Sequence, residues 1–367
     1  MQFEVQKSIL LKAISDCIGA VERRNTIPIL QNIKIDVEND KVILSATDMD
    51  ILISSTFDCD MKNSGKTTVP AQTFFDVIKK IPDGSVLIKL DDKLNLQIKS
   101  GKSKYNLPCI DIGEFPVISE SDMVSQFEID SEVISKMIDK TRFAISNDET
   151  RYYLNGLFLQ LVEKEKNNYE VRTIATDGHR LALSFNPIEK IEPFSVIIPR
   201  KTINEIRRVI DGVKKVTIFL SKVKIKVIAD KTTIISKVID GEFPDYEKVL
   251  PKLNQNLALV KRKIFYDCID RVAIVASDKH KAVKLTVESG KMLLQVGSDE
   301  NYLALEEFDV NYSGEKIETG FNSKYLLDII AHIDKEELMI RFKDGMSPAL
   351  IEAQDMSSVF VIMPVRV

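Results

Sequence analysis

Asp177, His179 and Arg180 fall together in the string TDGHR (176–180), an acid, an imidazole and a guanidinium within four residues. Such a trio could move a proton or hold a metal. The rest of the chain argues against both. Its three histidines (His179, His280, His332) lie in three different contexts, and its four cysteines (Cys17, Cys59, Cys109, Cys268) include no CxxC pair. No HExxH, GxSxG or P-loop pattern occurs. A histidine beside a turn glycine is more often a structural hydrogen-bonder than a catalyst. The sequence therefore predicts no catalytic residue, no metal and no cofactor.

The other chemistry on offer is phosphate contact. Lys79 and Lys80 occupy the same slot of one segment that Arg207 and Arg208 occupy in another, 128 residues on. Arg200 and Lys201 open the second of these segments, and Lys136, Lys140 and Arg142 lie on the one before it. Cations without Trp and with few aromatic neighbours suit contact with a phosphate backbone rather than stacking on bases.

These residues sit on repeated elements. TVPAQTFFDVIKKIPDG (68–84) lies over IIPRKTINEIRRVIDG (197–212) and, in hydrophobic frame, over TGFNSKYLLDIIAHID (319–334). The segments beginning at 2, 126 and 257 repeat one amphipathic helix face. Alternating apolar residues and turn signals follow each, and read as hairpins. ATD recurs at 46–48 and 175–177, and GEFP at 113–116 and 241–244, where it is expected to close the last strand of each copy. The chain is thus three α+β copies, with boundaries expected at 1–122, 123–253 and 254–367. The six helical segments (8–21, 71–81, 131–145, 200–210, 261–276, 323–333) hold 15 Lys/Arg against 8 Asp/Glu, in a chain whose net charge is −4. A shared basic helix surface on an otherwise acidic molecule follows. With 44% hydrophobic and 29% charged residues, no apolar run near the roughly 18 residues of a membrane span, and no signal-peptide pattern at its start, the chain is expected to be cytoplasmic.

RRNTIPILQN (23–32), TRYYLNG (150–156), ATDGHRLA (175–182), VIDGEFPDYEKVLP (238–251) and the final VIMPVRV (361–367) give the whole chain a resemblance to the bacterial DNA polymerase III beta subunits, the sliding clamps. The resemblance implies three clamp-type domains per chain, sheets outside and paired helices inside, closing as a head-to-tail homodimer around duplex DNA. It implies DNA contact by Arg24, Arg151, Tyr152 and Tyr153, beside Lys79, Lys80, Lys136, Lys140, Arg200, Lys201, Arg207 and Arg208 on the basic helices. Gln72, Asp148 and Glu149 depart from the basic or polar residues expected near that surface.

The same resemblance implies a groove in which the DNA polymerase III catalytic subunit, the clamp loader, other polymerases and repair proteins dock a short peptide. Matching positions are Leu154, Thr176, Gly178, His179, Arg180, Leu181, Pro244, Val249, Val361, Met363, Pro364, Val365 and Arg366, with Arg180 and Arg366 as donors at the rim. Val365 and Val367 stand where bulkier apolar residues are common. For the dimer, an edge strand at Tyr105 and Leu107 is expected to pair near Ile274 and Val275 of the other subunit. The alternative reading is a repeat scaffold that binds proteins and never encircles DNA.

Overall fold

The structure, a computed structural model, describes residues 1–22, 26–116, 118, 123–276, 281–299, 302–353 and 357–366. Among the described residues six α-helices are formed: α1 (Lys7–Cys17), α2 (Ala71–Lys80), α3 (Ser131–Thr141), α4 (Arg200–Val209), α5 (Arg262–Ala273) and α6 (Ser323–Ala331). Each follows directly on a strand, and its apolar residues at helical spacing face inward: Phe74 and Ile78 on α2, Ile203 and Ile206 on α4, Leu326 and Ile330 on α6. The expected helices 8–21 and 131–145 end earlier, because their last turn tightens into 3₁₀ geometry at Ile18–Ala20 and Arg142–Ala144. Among the described residues no helix is long and apolar enough to cross a membrane.

The strands of the described residues form four antiparallel sheets, and the two largest join strands of different repeats. One eight-stranded sheet runs Ser125–Asp130, Lys215–Leu220, Lys224–Ala229, Thr232–Lys237, then Ile51–Asp58, Lys41–Thr47, Asn32–Glu38 and Gly65–Pro70. Its seam is the pairing of Thr232 with Ser55 through to Ser236 with Ile51. The other runs Phe194–Pro199, Gly156–Glu165, Asn168–Thr176, Arg180–Ile188, then Ser358–Ile362, Ala349–Ala353, Glu337–Phe342 and Asn256–Lys261. A five-stranded sheet ends on Ser103–Pro108, and a four-stranded one on Tyr302–Asp309. Compactness accordingly cuts the chain into two units, Met1–Ser135 with Lys201–Val238 and Lys136–Arg200 with Ile239–Val367.

The repeated strings have local causes. In both ATD copies the Thr hydroxyl accepts the N–H two residues on, and the Asp carboxylate accepts the next two: Thr47 with Met49, Asp48 with Asp50 and Ile51; Thr176 with Gly178, Asp177 with His179 and Arg180. GEFP does not close a strand, contrary to the sequence expectation. The strands before it end at Pro108 and Lys237, and only single bridges at Ile110 and Ile239 follow. The string serves instead to plug a phenylalanine into a small core, Phe115 against Ile29 and Leu30, and Phe243 stacked on Phe158 at 4.6 Å.

Candidate functional site

The second unit holds a cavity of about 280 Å³ whose wall is largely apolar. Leu154 enters from the 3₁₀ helix Glu149–Leu154, and Leu181 from the strand opposite Val361, its register partner. Pro244 and Val249 follow the plug at Phe243. Met363 stands just past the last strand, its N–H donating to the carbonyl of His179 at 2.9 Å. Thr176 and Gly178 supply the hairpin turn. Gly178 has φ +90, and a Cβ there would lie 2.6 Å from Nη1 of Arg151, so only glycine lets that guanidinium pass.

Arg180 lies under this cavity, not at its rim. It is 8% exposed, and its donors are taken: Nε by Asp177 at 3.1 Å, Nη1 by Asp328 at 2.6 Å, Nη2 by the carbonyl of Phe143 at 2.9 Å. The guanidinium also stacks 4.4 Å from the Tyr325 ring and 5.1 Å from Phe143. Burial, and then the nearby Asp177 carboxylate, push the Tyr325 hydroxyl above its ordinary pKa. His179 is exposed, with its ring 6.3 Å from Tyr325, and Pro364, Val365 and Arg366 lie off the cavity wall. Val365 instead donates its N–H to Gly320 at 2.8 Å. The acid of TDGHR is spent on the turn and on Arg180, and among the described residues no His/Cys/Asp/Glu group could hold a metal.

Two residues expected at DNA, Arg151 and Tyr153, line the cavity. Arg151 is fixed by Asp148 at 2.9 Å and the carbonyl of Asp177 at 3.0 Å. The signal for this was their adjacency to Leu154 in TRYYLNG. Hydrogen bonds from Thr150 and Arg151 hold the Asp148 carboxyl down to about 2. A group depressed in the folded state adds stability above the ordinary carboxylate range and loses it as pH falls through its folded value. Carboxyl NMR should therefore find the Asp148 midpoint near 2. A midpoint near the usual ~3.9 would show that the carboxylate does not anchor this loop.

The other cations divide. Arg200 donates to the carbonyls of Ile145 and Ser146 at 2.6 and 2.8 Å, and burial lowers its pKa. Lys201 pairs with Asp48 at 2.6 Å. Arg208 binds the carbonyl of Asp16 at 2.7 Å and Glu205 at 2.6 Å. Lys140 reaches Ser357 at 2.7 Å, and Arg207 approaches Asp211 at 3.9 Å. These side chains fasten the fold as well as carrying charge. Lys79, Lys80, Lys136 and Tyr152 are exposed, and Arg24 lies outside the described residues.

Of the four residues expected at the dimer contact, two lie on an edge strand and two in a turn. Tyr105 is exposed on an edge strand as expected, but the Leu107 side chain is 7% exposed and points into the core. Ile274, 82% exposed, and Val275 lie in the turn that ends α5, so neither can add to a sheet. The neighbouring edge strand is Tyr302–Asp309, with Leu303 and Leu305 exposed.

Tandem α+β modules sharing antiparallel sheets, with an apolar groove beside the last strand, define the class of DNA clamps. The three domains of the DNA polymerase III beta subunit match this chain in order: the N-terminal domain at residues 1–119, the central domain at 128–245 and the C-terminal domain at 247–366. The beta sliding clamp of Caulobacter vibrioides is 40% identical over 374 residues, covering all of both chains, and that of Pseudomonas putida 34% over 372 residues, also covering all of both. A crystal structure of the C. crescentus beta sliding clamp superposes with a TM-score of 0.95 at 40% identity, covering 100% of this chain and 99% of that one. A DnaN sliding clamp from Bartonella birtlesii, bound to griselimycin, superposes with 0.94 at 36% identity, covering all of both. The chain belongs to the DNA polymerase III beta subunit family, and its function is that of a sliding clamp.

Proposed function

We propose that two copies of this chain close head to tail around duplex DNA in the cytoplasm and tether the DNA polymerase III catalytic subunit, the clamp loader and repair proteins through the groove at Leu154, Leu181, Val361 and Met363. The observation that carries the reading is the groove itself, apolar, open and set on a satisfied polar floor. Leu, Val, Pro and Met walls accept a hydrophobic peptide anchor, and a thioether adapts to several related ones. The chain does no chemistry of its own on this reading. Its three domains divide at about residues 122 and 253; the first boundary lies between two family matches and the second a few residues inside the last.

Retention by enclosure asks little of individual phosphate contacts. Exposed lysines such as Lys79, Lys80 and Lys136 on α2 and α3 suit weak, salt-screened attraction, which lets a ring slide. Pairing of the free edge Ser103–Pro108 with Tyr302–Asp309 of a second copy would cover both edges, and Ile274 would pack beside the joint. The test is topological. Protein loaded on a nicked circular plasmid should remain bound and run off once the plasmid is cut to a linear form. Equal retention on both forms would favour the scaffold that never encircles DNA.

A further inference from the structure

The groove does not end at Val249. That residue, 42% exposed, also walls a second cavity of about 490 Å³, between the linker 248–254 and the turn 343–348. The cavity is built from fixed parts. Asn254, itself buried, donates through Nδ2 to the carbonyls of Arg341 and Pro348, both at 2.9 Å, and so ties the linker to the turn. Gly345 lies so close to the carbonyl of Glu318 that a Cβ would have no room. Asp344 accepts the N–H groups of Met346 and Ser347 at 2.9 and 2.7 Å, which holds the turn closed.

The rim is apolar and cationic together. Leu253 is 64% exposed, and Lys248, Lys252 and Lys343 line the opening. The carboxylates nearby are committed: Asp245 to Lys248 at 2.9 Å, Glu247 to Arg172 at 3.0 Å, and Asp344 to its own turn. Lys252 makes no ion pair with a carboxylate among the described residues, and Lys343 feels the charge of Asp344, whose carboxylate oxygens are bonded within their own turn. Two ammonium groups thus line a cavity that shares Val249 with the peptide groove, beside the exposed Leu253.

We propose that this second cavity is an accessory subsite that receives an acidic side chain flanking the apolar anchor of a partner peptide. It rests on the reading of the first cavity as a peptide groove, and it would rank partners that share an anchor. Exposed ion pairs are individually weak and screened by salt, so the subsite should tune affinity rather than create it. The net charge of −4 works against an acidic ligand, so a preference for one has to arise locally.

The experiment uses the full chain and two synthetic peptides with the same Leu-Phe anchor, flanked on both sides by Asp-Asp or by Ser-Ser. Fluorescence anisotropy at low salt should show the acidic peptide binding roughly 3- to 10-fold tighter, and within about twofold of the other at high salt. In Lys252→Ser/Lys343→Ser the ratio should fall to near one, and in Lys252→Glu/Lys343→Glu it should invert. A ratio near one for the unaltered protein at low salt, or a ratio that survives the double serine substitution, overturns the subsite and leaves the groove standing. If neither peptide binds, the groove reading fails first and the subsite with it.

Discussion

Arg180→Ala should lower the stability of the second unit by about 3 kcal/mol and its melting temperature by roughly 6–12 °C. The guanidinium pairs with the carboxylates of both Asp177 and Asp328, and it fills the gap between Phe143 and Tyr325. Alanine leaves two carboxylates without a countercharge, an unpaired Phe143 carbonyl and a hole between two rings. The cost is at the lower end for a broken buried pair, because Asp328 is about a third exposed. Removing the excess charge should recover part of it, so Arg180→Ala/Asp328→Ala should melt above the single variant. A melt within about 2 °C of the parent for Arg180→Ala would show that the guanidinium is not the keystone described.

Deleting residues 363–367 should weaken peptide binding by at least about 100-fold, roughly 2.7 kcal/mol, while the protein stays folded. Met363 walls the groove together with Leu154, Leu181 and Val361. The strand Ser358–Ile362 ends before the cut and keeps its pairing with Arg180–Ile188 and Ala349–Ala353. Two backbone hydrogen bonds are lost, Met363 to His179 and Val365 to Gly320, at about 1 kcal/mol each. Calorimetry with a Leu-Phe peptide, run beside a thermal melt, separates the two effects. Unchanged peptide affinity in a folded truncation would move the docking site elsewhere.

The repeat, its helices and most of the groove could be read from the chain, because apolar spacing and turn chemistry are local. TDGHR gave the turn at Thr176–Arg180, and VIMPVRV led to Val361 and Met363. Arginine allocation could not be read. Arg151, Arg180, Arg200 and Arg208 look alike as letters, and what decides their roles is which carbonyls and carboxylates distant strands bring to them. Leu107 and Tyr105 show the same limit at smaller scale: two residues apart on one edge strand they share a face, but Leu107 is buried and Tyr105 is 38% exposed. The composite sheets were also hidden, since pairing between Thr232–Lys237 and Ile51–Asp58 crosses about one and a half repeats of chain.

That seam bears on how such a chain could be taken apart. A single repeat expressed alone would lose its partner along Ile51–Asp58 or Thr232–Lys237 and present a bare ladder of amides, ready to join any other strand in the cell. The repeat visible in the sequence is therefore a unit of ancestry and not a unit that can be cut out and kept soluble. Excision that respects the sheets would have to divide the middle repeat and share it between two pieces, as the compact units already do.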